Sequence, residues 1–171
     1  MEDLRCLLAT SNLEVYHDAV REWLYTRWLG RHTEASIQQA IESICICMHG
    51  RPYTKVLSDH SGFVGEWPAN APWAMESYFN YLAAQGVAHF AWVYNESRHN
   101  LTTMQQMLSR VTQPAVAIFQ DVASAYEWLR RCPAVIVQSL VESNKMVSQE
   151  KSAVDSAASL HRTMPGRIVA L

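Results

Sequence analysis

The segment Val87 to Tyr94 is largely apolar on both of its faces. Val87, His89, Ala91 and Val93 fall on one, and Ala88, Phe90, Trp92 and Tyr94 on the other. A strand of that kind belongs inside a parallel sheet, covered above and below. Parallel neighbours require crossover connections, commonly helices, and those crossovers are right-handed. This one segment therefore commits the chain to alternating strands and helices.

The remaining signals fit that scheme. Leu13 to Tyr16 reads as a short strand, His17-Asp18-Ala19 as a turn, and Trp23 to Leu29 as a second strand, which together predict an antiparallel hairpin ended by Gly30. Thr33 is placed to cap a helix, with Glu34 in its first turn. Ile37, Ala40, Ile41, Ile44, Cys45 and Met48 recur at helical spacing until Gly50 and Pro52 stop them. Lys55 to Asp59 is a strand, and Ser61 to Pro68 is a loop by its glycines and proline. A second helix runs from a cap at Asn70 through Met75, Tyr78, Phe79 and Leu82 to Gly86. Beyond the doubly apolar strand come a helix on Leu101, Met104, Leu108 and Val111, a strand from Ala115 to Phe119, and a helix capped by Asp121. That last helix carries Val122, Ala125, Tyr126 and Leu129 and ends at Pro133. The expected fold is α/β: a mostly parallel sheet of about five strands, a hairpin followed by β-α repeats, with four helices. Residues 1–133 form the expected domain, and 134–171 an extension that is partly helical or mobile.

Three stretches at the joints of this order carry a resemblance. They are Trp23-Leu24-Tyr25-Thr26-Arg27-Trp28-Leu29-Gly30, Lys55-Val56-Leu57-Ser58-Asp59, and Phe119-Gln120-Asp121 through Ala125, Trp128 and Leu129. From about Leu13 to Cys132 the chain resembles the SpoIIAA-like group of the STAS superfamily. These are bacterial α/β domains grouped with anti-sigma-factor antagonists and lipid-transfer CRAL-TRIO domains. The resemblance implies the fold more than the function, because its motifs are structural joints. Antagonists of the superfamily carry a phosphorylated serine in Asp-Ser-Ser/Thr-Gly at the start of the second helix. Here the nearest text is Asp59-His60-Ser61-Gly62, directly at a strand end, so Ser61 is the phosphoacceptor candidate.

Composition narrows the function classes. The 171 residues suit one domain, and a net charge of −2 gives no reason to expect nucleic acid as a partner. Cys6, Cys45, Cys47 and Cys132 form no framework spacing and read as reduced thiols. The start Met1-Glu2-Asp3-Leu4 lacks the basic residues of a secretion signal, and no apolar run approaches the roughly 20 residues of a membrane span. A cytoplasmic location is the expectation.

Candidate site residues gather where open α/β sheets bind ligands, at the carboxyl ends of parallel strands. Asp59, His60 and Ser61 have the residue types of a hydrolase triad, but sequence neighbours at a strand end diverge and form no relay. Asp59 is expected to bond local amides in a turn. Trp67, Trp73 and Phe63 surround the glycine-containing loop, as core packing or as an aromatic wall for an apolar ligand. The seven histidines show no metal-ligand spacing, and His89 reads as a hydrogen-bonded interior residue. No phosphate loop is present, and neither metal nor cofactor is expected.

The leading expectation is a non-enzymatic regulatory or protein-interaction domain of the STAS-like type. The alternative is a small-molecule or lipid-binding domain of the CRAL-TRIO-like type, with Asp59, His60, Ser61, Trp67 and Trp73 as its ligand residues. A homodimer is also expected. Successive right-handed units place their helices on one side, so all four helical stripes would cover one sheet face and leave the other to a second copy, with the short apolar tail segment Ala134 to Val141 contributing to the interface.

Overall fold

The structure, a computed structural model, describes residues 3–68, 71–94 and 98–133, apart from the side chains of Trp73 and residues 98–101. The extension expected at 134–171 lies outside the described residues. The elements run β1 (Leu4–Ala9), β2 (Leu13–Asp18), β3 (Trp23–Trp28), α1 (Glu34–Met48), β4 (Lys55–Asp59), α2 (Ala71–Ala84), β5 (His89–Val93), α3 (Arg98–Leu108), β6 (Ala115–Phe119) and α4 (Val122–Arg131). Six strands form one sheet in chain order. The β1–β2 and β2–β3 pairs are antiparallel, and every pair from β3 to β6 is parallel.

The α/β class and the hairpin-then-repeat order are as expected, with one strand more than read from sequence. β1 was missed because it lies at the sheet edge with none of its residues buried, and a bulge between Cys6 and Leu8 breaks its alternation. The hairpin turn also falls later than expected. β2 continues to Asp18, whose Oδ1 accepts from the amides of Val20 and Arg21 at 3.1 and 3.0 Å. An aspartate that closes the turn on its own carboxylate sits at its start, not its centre.

Strand alternation divides the core in two. Leu24, Val56 and Phe90 lie side by side in register and meet Ile37 and Ile44 of α1, Met75, Phe79 and Leu82 of α2, and Met104 of α3. Thr33 caps α1 as expected, in a capping box completed by Ser36. Gly50 follows α1 with a left-handed φ of 74°, where a side chain would be strained.

The opposite face carries Trp23, Tyr25, Leu57, Ala91 and Val93, and α4 covers it through Ala125 and Leu129. This corrects the expectation that all four helices share a side. The handedness rule governs helices that return to a parallel strand, and α4 follows β6, the last strand of the sheet. It is free to pass beneath. The exposed apolar face that motivated a homodimer is thus occupied by the chain itself. Lys55 fastens this arrangement: its ammonium donates to the carbonyls of Leu129 and Cys132 at 2.7 and 2.8 Å, and lies 5.3 Å from the Trp23 ring centre. No helix among the described residues is long and apolar enough to cross a membrane.

Candidate functional site

The strand register brings Thr26, Ser58 and Trp92 side by side on the α1–α3 face. Trp28 and His60 stand one step further along, at the carboxyl ends of β3 and β4. The Ser58 hydroxyl is the hub. It lies 2.9 Å from Thr26 Oγ1 and 2.9 Å from His60 Nε2, and accepts from Trp28 Nε1 at 3.2 Å. A hydroxyl has one hydrogen and two acceptor positions, so these three partners saturate it.

Above the hub is an aromatic nest. His60, 3% exposed, stacks on Trp28 with ring centres 5.0 Å apart and planes inclined by 16°. Trp67 and Trp92 flank it at 5.3 and 5.4 Å. His32 stacks nearly parallel on Phe63 with ring centres 5.2 Å apart, and Phe63 stacks on Trp67 at 4.8 Å. Three polar ring atoms in this cluster are buried without a hydrogen-bond partner in the protein: His60 Nδ1, His32 Nε2 and Trp92 Nε1. Burial pushes the His60 pKa well below the ordinary histidine value, and neighbouring His32 pushes it the same way. Burial also lowers the His32 pKa, opposed by the nearby Leu29 and Asn12 carbonyls, which close no hydrogen bond to Nε2. Both rings are therefore neutral at pH 7.

The segment after β4 is pinned over the nest. The His60 amide donates to Val93 O at 2.8 Å, Gly30 N to Gly62 O at 2.8 Å, and Val64 N to Gly30 O at 2.8 Å. Gly62 permits this approach: a Cβ there would lie 2.8 Å from Leu29 Cδ2 and 3.1 Å from the Trp28 carbonyl. The Leu29 methyl can rotate away, but the Trp28 backbone cannot. Gly62→Ala is expected to lift the loop from β3 and cost about 1–2 kcal/mol by overpacking. A urea titration would measure the loss, with a red shift of Trp67 emission as the local sign. Unchanged stability and emission would show that the loop absorbs the methyl group.

Asp59 points to the other face, as strand alternation requires. Its Oδ2 accepts from the Tyr25 hydroxyl at 3.2 Å and its Oδ1 from the Ser61 amide at 2.9 Å. Arg27 Nε stands 3.9 Å from Oδ2, and Arg27 also pairs with Glu14 at 2.7 Å. Burial, then the Asp59 charge, raises the Tyr25 pKa far above the ordinary phenol value, so Tyr25 remains a donor. Ser61 is exposed in the turn after β4. Of the residues singled out from sequence, His60 and Trp67 thus meet in the nest with Phe63, whereas Asp59 and Ser61 do not. Trp73 lies in α2, and its side chain is outside the described residues. His89 is half-buried beside Trp128, ring centres 5.9 Å apart, and its Nδ1 has no partner in the protein, contrary to the expected hydrogen-bonded interior histidine.

Sequence reasoning missed Trp28, His32, Ser58 and Trp92. A period-two count would have placed two of them, since Thr26 and Trp28 share a face, as do Ser58 and His60. No group of three or more histidine, cysteine, aspartate or glutamate residues suited to a metal occurs among the described residues.

No protein-family model matches the sequence, and no curated protein matches it. Among solved structures, the chain is similar to an uncharacterized protein of the DUF3478 family with a SpoIIAA-like fold from Shewanella loihica. The two are 14% identical, the match spans 74% of this chain and 92% of that one, and the TM-score is 0.45.

Proposed function

We propose that this chain is a non-enzymatic binding domain that holds a small, flat, largely apolar molecule with a polar edge in the nest of Trp28, His32, His60, Phe63, Trp67 and Trp92. The observation that carries the reading is the group of unpartnered ring atoms on His32, His60 and Trp92. Buried polar atoms are nearly always hydrogen-bonded, and three together in one aromatic cluster call for a ligand that bonds them. A cleft of about 300 Å³, walled by Asn12, Ser36 and Gln39, lies beside the nest, with Ser36 Oγ 3.3 Å from His32 Nδ1.

Ser58 and His60, 2.9 Å apart, are the atom pair that a hydrolase would use. Two features argue against that use. Trp28 donates to the Ser58 oxygen, which weakens it as a nucleophile, and no carboxylate holds His60 Nδ1.

A regulatory role fits the same place. Ser61 and Val64, the latter 49% exposed, lie on the loop that roofs the nest, so a partner reading that loop would sense what lies below. A phosphate on Ser61 would stand next to Asp59, which its amide now engages, and repulsion would loosen the turn.

Native mass spectrometry of freshly purified protein tests the ligand reading. The expected result is an added mass that organic extraction removes and that His60→Leu diminishes. A bare mass, together with a melting temperature unmoved by a panel of aromatic and apolar small molecules, would refute it.

A further inference from the structure

We infer that a second ligand site lies at the opposite end of the sheet, and that it takes a small molecule carrying a phosphate or carboxylate beside a hydroxyl or amine. A cleft of about 250 Å³ opens there, lined by Arg5, His17, Glu22, Arg51, Pro52 and Tyr53. Its volume lies just below the roughly 300–1,000 Å³ of drug-sized pockets, which suits a small metabolite.

Three segments build the cleft. Arg5 is paired with His17 across β1 and β2, so both side chains lie on one sheet face. Glu22 closes the turn between β2 and β3, with a left-handed φ of 58° that a glycine would adopt more easily. Arg51 and Tyr53 come from the connection between α1 and β4.

The charges around the cleft do not neutralise one another. Among the described residues, neither guanidinium has an ion pair or side-chain hydrogen bond, and neither does the Glu22 carboxylate, although all three line the same space. A second observation points to a ligand independently. Tyr53 is 2% exposed, and its hydroxyl is buried without a partner, as is Nδ1 of His17. The two rings meet edge to face at 5.7 Å. Two orphaned polar atoms in the wall of a cleft with two unpaired arginines are groups that a bound molecule would engage.

The residue types select the ligand. Guanidinium forks match the paired oxygens of phosphate or carboxylate. Glu22 repels additional negative charge and accepts from a hydroxyl or ammonium, so it disfavours polyphosphates and favours a mixed ligand. The negative end of α1 is near in sequence, but the Met48 carbonyl is already taken by the Arg51 amide at 3.1 Å.

The test is an NMR titration of the full chain, following the arginine Nε–H signals, with inorganic phosphate and with glycerol 3-phosphate. Both should shift the Arg5 and Arg51 signals saturably, glycerol 3-phosphate binding about tenfold more tightly through its hydroxyls. Arg5→Gln/Arg51→Gln alters two exposed side chains, so the remaining spectrum should be preserved while affinity falls at least about tenfold. Glu22→Gln should abolish the preference for glycerol 3-phosphate and leave inorganic phosphate bound. Tyr53→Phe, which keeps the ring, should weaken both. Failure of both probes to saturate below about 10 mM, or shifts that persist in the double arginine variant, would overturn the inference.

Discussion

Lys55→Met should detach α4 from the sheet at a cost of about 3 kcal/mol. The substitution keeps most of the aliphatic stem and removes only the ammonium, so the effect reports the polar contacts. Two carbonyls near the end of α4, those of Leu129 and Cys132, lose their charged donor. Hydrogen bonds to a charged group contribute roughly 1.5–3 kcal/mol each, and the lysine also sits at the helix end where a cation is favoured. The attraction to the Trp23 ring is lost as well. Against this stands the cost of burying the charge of a lysine that is only 6% exposed, which keeps the net near one such bond rather than the sum. Urea unfolding gives the total, and hydrogen exchange locates it. Amides of α4 should lose protection while those of β3–β5 retain theirs. A variant with an unchanged urea midpoint would show that Ala125 and Leu129 hold α4 without the lysine.

Acid should also destabilise the fold. His60 and His32 both have folded pKa values below the ordinary 6.5, His60 far below, with burial as the first cause. Above pH 6.5 both rings are neutral in the folded and unfolded states, and neither contributes. Below it the unfolded chain takes up protons that the folded rings refuse, so stability falls as pH falls. The slope approaches about 1.4 kcal/mol per pH unit for His60, and His32 adds to it only until the pH reaches its own folded pKa. His89 shifts in the same direction, through burial and then Lys55, and adds a smaller share. Urea midpoints at pH 7.5, 6.5 and 5.5 would show the fall, and His60→Phe should remove a large part of the slope. Constant stability from pH 7 to 5 would mean that the folded rings accept protons after all.

The fold was legible wherever period and punctuation agreed. Lys55 to Asp59 and Ala115 to Phe119 are strands with the bounds that the sequence suggests, and Thr33 and Asp121 cap the helices that they precede. Leu4 to Ala9 was illegible because an exposed, bulged edge strand has no buried face to leave a pattern. The side taken by α4 was equally hidden. It depends on where the chain goes after its last strand, which no local period encodes. For the nest, the glycine-containing loop pointed to the end of the sheet where the nest lies, but chain proximity grouped residues that the fold separates. Asp59, His60 and Ser61 are adjacent in sequence and part in space. His60 instead meets Trp28 and Trp92, contributed by two other strands, and only the sheet register unites them.

The chain-ordered sheet also bears on how the protein folds. When each strand pairs with its predecessor, no pairing waits for a distant part of the chain, although each parallel step closes a whole β-α crossover. The link from Lys55 to Leu129 is the exception, spanning 74 residues. The sheet and the face under α1–α3 can assemble before that span closes, while Trp23, Leu57 and Ala91 stand bare. Until residues 122–131 arrive, the molecule is a nearly finished sheet with one sticky side. Its yield on refolding at high concentration is then a race between docking of its own last helix and adhesion to a neighbouring chain.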